Sequence, residues 1–243
     1  MRLLIIRHAD PDYEHDSLTP TGFVEADALS ERLAGTDITK FYCSPLGRAK
    51  ATAAPTLRRM NMEAETREWL REFSPPFIRY PGTGEEHICW DWLPADWTQI
   101  PMMYDRDTWM NHPAMVEAGV REYYESVLAG MDELLASHGY VREGGIYRAV
   151  RPNRDTVALF CHFGVGCVLI AHLLHLPAFV LWQGTSAPPS SVTTLYTEER
   201  REGIASFRMR SYGDVSHLYA KGMEPSVAAR FCETWDRPDE RHD

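Results

Sequence analysis

The protein has 243 residues, 44% hydrophobic and 25% charged, which suits one large globular domain and argues against a disordered or fibrous chain. Its formal net charge of −10 creates a field that repels DNA, RNA and anionic membrane surfaces, so a nucleic-acid or membrane partner is not expected. An anionic ligand would therefore need a local cluster of positive side chains.

The chain begins with a short apolar run, Leu3 to Ile6, that ends at Arg7 and His8. A run of this kind is typical of a strand buried on both faces of a parallel sheet. Ligands of open α/β sheets gather beyond the carboxyl ends of the strands, where Arg7 and His8 are placed. An Arg-His pair by itself is more often an ordinary surface pair, so its meaning depends on which other residues reach the same edge.

Two pairs of a hydroxyl residue and a proline predict helix starts. Thr19 is expected to cap a first helix that begins at Pro20. After a short apolar strand over 41–43, Ser44 is expected to cap a second helix. Arg48 then falls in the first turn of this second helix, at the same sheet edge as the end of the first strand.

Residues 74–113 lack a regular period and are rich in proline and tryptophan. A long stretch of this kind inside a compact domain usually has a function or contains short elements. One long helix over 114–137, with Val116 on its buried face, and a β-hairpin over 140–150 are predicted to follow. We interpret residues 74–155 as one insertion that forms a lid over the carboxyl edge of the sheet. Its tryptophans either fill a small satellite core or grip a bound molecule.

A second buried strand is predicted over 156–161, and it places His162 as the first strand places His8. A buried helix is expected to begin at Gly164. The apolar stretch 157–182 has the length of a membrane span, but histidines and a proline interrupt it. This pattern favours a strand, a turn and a buried helix.

Residues 191–197 and 204–210 alternate in hydrophobicity like paired strands and are expected to close the sheet. Together the elements predict one α/β domain over 1–243, a three-layer α/β/α sandwich around a mainly parallel sheet, with the inserted lid and a loose tail at about 236–243. Five cysteines without a CxxC pair favour a reducing cytoplasm. The oligomeric state stays open, with a homodimer as one alternative.

Four side chains that suit phosphoryl transfer are predicted to meet at this edge. Arg7 and Arg48 offer planar, bidentate donors for a phosphate dianion. His8 is our candidate nucleophile, because a neutral imidazole is basic enough to attack phosphorus near pH 7 and can later leave. His162, which we expect to be cationic, would donate to an oxygen of the transferred group.

The leaving group also needs a proton, and a carboxylic acid kept protonated by burial would supply it. Glu68 and Glu72 are the candidates for this acid. A metal centre built on His8, His15 and His162 is the weaker interpretation, because the chain lacks the short spacing that metal-ligand motifs show. We expect no metal ion and no organic cofactor.

These residues resemble the histidine phosphatase superfamily, also called phosphoglycerate mutase-like. Six motif elements of that family have counterparts in the correct order, at residues 7–9, 18–22, 44–53, 70–72, 162 and 214–218. The resemblance implies a phosphoglycerate mutase-like fold and hydrolysis of a small phosphorylated substrate through a phosphohistidine on His8. It also favours Glu72 over Glu68 as the acid, and implies that Glu72 later activates water.

Two positions depart from the family pattern: Ala9 and Phe163 each replace a glycine. Ala9 is expected to be tolerated if its φ is negative, and the ring of Phe163 is expected to narrow the pocket or stack on the substrate. Two other functions stay open. One is a mutase that returns the phosphoryl group to its bound substrate, and the other is a phosphoryl-binding protein without turnover.

Overall fold

The computed structural model describes residues 1–74, 76–228 and 230–240, in which helices cover both faces of a central sheet. The strands of the described chain are β1 Arg2–Arg7, β2 Pro11–Asp12, β3 Ser17–Leu18, β4 Lys40–Cys43, β5 Ala64–Thr66, β6 Phe77–Arg79, β7 Glu86–Ile88, β8 Tyr140–Glu143, β9 Ile146–Ala149, β10 Thr156–Cys161, β11 Val192–Arg201 and β12 Ile204–Asp214. The α-helices are α1 Pro20–Ala34, α2 Gly47–Met60, α3 Pro94–Trp97, α4 Pro113–Glu117, α5 Val120–Ser137, α6 Phe163–Leu174, α7 Ala178–Gly184 and α8 Ser216–Tyr219.

The central sheet is mixed, with the strand order β5-β4-β10-β1-β11-β12-β9-β8. The strands β5, β4, β10 and β1 are parallel to one another, whereas β11, β12, β9 and β8 continue the sheet by antiparallel pairing. The predicted pairing of the last two strands is confirmed, although both extend further than expected. The parallel half carries the residues singled out above, because β1, β10 and β4 end side by side.

Both faces of β1 are buried, as its continuous apolar run predicts. Leu4 and Ile6 pack with residues of α1 and α2 on one side. Leu3 and Ile5 pack on the other side with residues of α5 and α6. Two cores separated by a sheet give the three-layer α/β/α arrangement that the sequence predicts.

The predicted helix over 114–137 is two helices. Gly119 adopts a left-handed conformation with φ of +67°, which ends α4 and starts α5 in a new direction. Val116 therefore lies on α4 and is 64% exposed, so its predicted burial is wrong. Val120 and Tyr124, on α5, are buried as expected.

The predicted insertion is divided between two parts of the molecule. Residues 140–149 form the edge strands β8 and β9 of the central sheet, around the predicted Gly144-Gly145 turn. The tryptophan-rich part contains short elements, and its Trp92 and Trp109 belong to the same core as the sheet rather than to a satellite core. Only this tryptophan-rich part remains as a candidate lid.

The apolar stretch 157–182 is strand β10, helix α6 and the start of helix α7. Among the described residues, no helix has both the length and the apolar composition that crossing a bilayer requires. Of the predicted loose tail, residues 236–240 are exposed, and residues 241–243 lie outside the described part of the chain.

Candidate active site

Three parallel strands bring the predicted residues together. Arg7 is paired with Cys161 in the β1–β10 register, so His8 and His162 leave neighbouring strand ends side by side. Their imidazole centroids are 5.1 Å apart. The sequence prediction that both histidines reach one edge is therefore met by the geometry.

His8 is 2% exposed, and its Nδ1 lies 2.8 Å from the carbonyl oxygen of Ala9. A carbonyl can only accept, so Nδ1 carries the proton and the lone pair is on Nε2. Burial, followed by the charges of Arg7 and Arg48, lowers the pKa of His8 from 6.5 to about 3. The imidazole is therefore neutral and nucleophilic at Nε2 at ordinary pH.

The pKa of His8 can be tested directly. Because the pKa is lowered, the neutral form should persist throughout the range between about 3 and 6.5, where an ordinary histidine becomes protonated. We expect ¹⁵N NMR of the phosphate-free protein to show His8 with Nδ1 protonated and Nε2 unprotonated at pH 5. The His8→Ala variant identifies the signal. Protonation of Nε2 with a midpoint near 6.5 would contradict the argument.

Two guanidinium groups flank this imidazole. Arg7 is 5% exposed and donates from one terminal nitrogen to the Ala187 carbonyl at 2.5 Å. Arg48 lies in the first turn of α2 and forms a 2.7 Å ion pair with Asp16. The Nε atoms of both arginines are buried and have no hydrogen-bond partner among the described residues. These N–H groups are donors that a bound anion can satisfy.

His162 is 1% exposed, and its Nε2 lies 2.7 Å from the Ser44 hydroxyl. Its Nδ1 is buried without a partner in the described part of the chain. If Ser44 donates to Nε2, Nδ1 carries the proton and is a further free donor. Burial, together with His8 and both arginines, lowers the pKa of His162 well below 6.5, so the cationic form expected from the sequence is disfavoured.

The structure separates the two candidate acids. Glu68 is exposed in a short 3₁₀ helix, whereas the side chain of Glu72 is partly buried and contacts the first turn of helix α6. Glu72 Oε1 accepts hydrogen bonds from the backbone of Phe73 at 2.7 Å and of Val165 at 3.0 Å. Val165 is three residues after His162, so these bonds hold the Glu72 carboxyl beside the histidine pair.

The close packing around Glu72 predicts that alanine substitutions at two glycines of α6 will affect activity differently. A Cβ at Gly164 would lie 2.7 Å from Glu72 Oε1 and 3.0 Å from Trp90 Nε1, whereas the nearest atom to one at Gly166 is 3.6 Å away. We expect Gly164→Ala to displace Glu72 and to lower kcat about 10- to 100-fold. Gly166→Ala, the matched control in the same helix, should stay near the wild-type rate in steady-state assays. Equal rates for both variants would contradict the placement of Glu72.

Several residues of the site were not predicted from the sequence. Ser44 was expected to cap a helix, but α2 begins at Gly47. The Ser44 hydroxyl accepts from Leu46 N at 3.2 Å and also contacts His162. Asp16 accepts from Gly47 N at 2.6 Å and so orients the start of α2 as well as Arg48. The ring of Tyr13 lies 5.4 Å from the Arg48 guanidinium carbon and 6.5 Å from the His8 ring.

Region 214–218 contacts the histidine site indirectly, through Ser190. His217 Nε2 lies 3.0 Å from the hydroxyl of Ser190. The backbone N–H of Ser190 in turn donates to the His8 carbonyl at 3.0 Å. His217 is therefore linked to the backbone of His8 through Ser190.

The two departures from the family pattern fit without strain. Ala9 is buried and is not among the residues with positive φ, so the methyl group is accommodated. The ring of Phe163 lies 5.8 Å from the guanidinium carbon of Arg7 and 5.9 Å from the ring of Trp90. Phe163 and Trp90 thus form an aromatic wall beside Arg7. Within the described residues, no group of three histidine, cysteine or carboxylate side chains could hold a metal ion.

Comparisons with known sequences identify relatives of this chain. The model of the histidine phosphatase superfamily (branch 1) matches residues 3–209. A protein of Hydrogenobacter thermophilus, provisionally named phosphoserine phosphatase 2, is 27% identical over 168 residues, which are 61% of this chain and 76% of the relative. A provisionally named phosphatase of Schizosaccharomyces pombe is 22% identical over 232 residues, which are 90% of this chain and 95% of the relative.

Solved structures share the architecture. A mutant of the Entamoeba histolytica phosphoserine phosphatase in complex with phosphoserine has a TM-score of 0.57 at 19% identity, and the match covers 89% of this chain and 98% of that one. The mycobacterial glucosyl-3-phosphoglycerate phosphatase with inorganic phosphate has a TM-score of 0.58 at 24% identity, with coverage of 89% and 99%. These likenesses confirm the fold class predicted from the sequence.

Proposed function

Since the chain belongs to the histidine phosphatase superfamily, as its motifs predicted, we propose that it hydrolyses a small phosphomonoester through a phosphohistidine on His8. One observation carries the proposal: Arg7 Nε, Arg48 Nε and His162 Nδ1 are buried without described partners around an imidazole with its own Nε2 free. With Ser44 donating to His162 Nε2, all three atoms are donors. A tetrahedral dianion supplies the acceptors that such a set of donors requires.

In the first step, His8 Nε2 attacks phosphorus and the ester P–O bond breaks. Arg7, Arg48 and His162 donate to the phosphoryl oxygens, whose charge must be held through the transition state. The leaving oxygen takes a proton from Glu72. The products of this step are the free alcohol, a phosphohistidine and an ionised Glu72.

In the second step, water attacks phosphorus while the Glu72 carboxylate accepts its proton. The P–N bond breaks, and its electron pair returns to His8 Nε2. Inorganic phosphate then leaves. Glu72 is again protonated and His8 is again neutral, so the cycle closes. Every proton is accounted for by residues of the chain, and we propose that neither step uses a metal ion or an organic cofactor.

We propose that the substrate is a small phosphorylated metabolite, the class that includes the phosphoserine and glucosyl-3-phosphoglycerate of the related enzymes' names. The tryptophan-rich segment supports this choice of substrate class, because Trp90 of the segment lies against Phe163 at the wall of the pocket. Gln183 also donates to the Trp90 carbonyl and thereby fixes this segment to helix α7. We propose that this segment is a lid that selects the leaving group.

A panel of phosphomonoesters, assayed with EDTA and without a bisphosphorylated primer, tests the proposal. Stoichiometric release of phosphate and alcohol from at least one monoester supports the phosphatase. Isomerisation of a phosphorylated acid only when a primer is added would make the protein a mutase. Saturable binding of the panel without any turnover would make it a phosphoryl-binding protein.

A further inference from the structure

A second cavity lies at the opposite end of helix α6 from the histidine pair. It has a volume of about 270 Å³ and is bounded by the tryptophan-rich segment, helix α5, strand β8 and the end of α6. Its lining includes His172 and His175, whereas His162 immediately precedes α6. The 12 residues of α6 span about 18 Å, so this cavity is separate from the site around His8.

Three arginines from three different elements converge on the cavity: Arg106, Arg121 and Arg142. Two carboxylates, Asp107 and Glu125, also line it. The lining therefore has an excess of positive charge on a chain whose formal net charge is −10. Such a concentration inside a concavity favours an anion.

These arginines are held in place mainly by neutral acceptors. Arg142 donates to the Tyr147 hydroxyl at 2.8 Å, and no carboxylate of the described residues forms an ion pair with it. Arg121 donates to the Asn111 side chain at 2.8 Å, while its contact with Glu125 is 3.5 Å. Arg106 forms a 3.0 Å ion pair with Asp107. Of the three arginines, Arg142 is therefore the one whose charge no carboxylate of the described residues pairs with directly.

His175 lies in the same positive field. Arg106 donates to His175 Nδ1 at 2.8 Å, which requires that nitrogen to be unprotonated. Burial, followed by the charges of Arg142 and Arg106, lowers the pKa of His175. His175 is therefore a neutral ring whose Nδ1 accepts from Arg106 and helps to hold that guanidinium at the cavity.

The rest of the lining is apolar or aromatic and includes Met110, Tyr124, Leu128 and Leu176. A cavity of this size with an apolar floor and a few convergent polar groups has the character of a small-molecule site. We propose that it binds a phosphorylated small molecule with an apolar or aromatic body, separately from the substrate. Guanidinium groups would hold the phosphate and the floor would hold the body.

Phenylphosphonate is a suitable probe because it combines a non-hydrolysable phosphoryl dianion with an aromatic ring. The Arg7→Gln/Arg48→Gln variant removes the guanidinium groups of the histidine site, so binding that remains must occur elsewhere. We expect isothermal titration calorimetry to find one equivalent of probe bound to this variant. Absence of binding would overturn the proposal.

In the same background, adding Arg121→Gln and Arg142→Gln should weaken probe binding about tenfold or more, because two charge-assisted contacts are lost. The matched control adds Arg200→Gln and Arg201→Gln, two exposed arginines on β11, and should leave the affinity unchanged. Equal affinities for the two would overturn the proposal.

A second variant covers the case in which the charge changes prevent folding. Leu176 is 39% exposed at the rim, so Leu176→Trp can fill the cavity without removing a charge or a buried group. In the wild-type background, we expect it to reduce the bound probe from two equivalents to one, the one at the histidine site, while phosphate release stays within about twofold. Two bound equivalents in this variant would assign the second probe molecule to another place and overturn the proposal.

Discussion

His8→Ala is expected to lower kcat/KM for phosphomonoester hydrolysis by about 10⁴-fold or more, because removing a nucleophile eliminates the covalent route. The structure holds His8 by both its ring and its backbone: Nδ1 donates to the Ala9 carbonyl, and Ser190 N donates to the His8 carbonyl. No other described imidazole has its Nε2 aligned in this way beside Arg7 and His162. Phosphate release under saturating and limiting substrate measures the loss.

The matched control for this change is His15→Ala. His15 is exposed and interacts with Asp12 at 2.8 Å, away from the histidine pair. Its replacement should leave turnover unchanged, and both variants should show the wild-type circular dichroism spectrum. Rapid quenching of the wild type with labelled substrate should trap an acid-labile phosphoenzyme that His8→Ala does not form. Equal turnover by His8→Ala and the wild type would remove His8 as the nucleophile.

Glu72→Gln is expected to lower kcat/KM roughly 10²- to 10⁴-fold for an alkyl phosphate, whose alcohol is a poor leaving group. Glutamine keeps an oxygen that can accept from Phe73 N and Val165 N, so the local structure should survive. For p-nitrophenyl phosphate, the first step needs no protonation, and the loss in kcat/KM, which reports the steps up to the phosphoenzyme, should be much smaller. The ratio of the two losses is the measurement, because it isolates proton transfer from positioning.

Glu68→Gln is the control for the acid, since Glu68 lies four residues earlier and is exposed. This variant should hydrolyse both substrates at the wild-type rate. A uniform loss of kcat/KM for Glu72→Gln on both leaving groups would remove Glu72 as the acid of the first step. A larger leaving-group dependence for Glu68→Gln would move the acid to Glu68.

The sequence predicts the parallel half of the sheet and the convergence of the four main candidate residues at its edge, because both depend on local signals. Leu3 to Ile6 and residues 156–161 are continuous apolar runs, and their burial on both faces requires a central position. The polar residues that follow such strands are then placed at one edge by the sheet itself. Convergence of His8 and His162 follows from this rule without knowledge of their contacts.

Features that depend on long-range packing were not accessible in the same way. A helix break at Gly119 cannot be distinguished by apolar spacing alone from a continuous helix over 114–137. Trp92 and Trp109 join the main core because α7 packs under them, which no local pattern indicates. Burial and the neighbouring arginines disfavour the cationic form of His162 that the sequence analysis expected, and both appear only in three dimensions.

Strand β1 has partners on both sides, β10 and β11, and lies where the parallel half of the sheet meets the antiparallel half. Its amide protons should therefore exchange with solvent only through global unfolding, whereas the amides of the exposed loop around Tyr13 should exchange through local fluctuations. His8, the proposed nucleophile, is thus attached to the strand that we expect to open most slowly. The loops around the pocket can then adapt to different substrates while His8 Nε2 stays fixed.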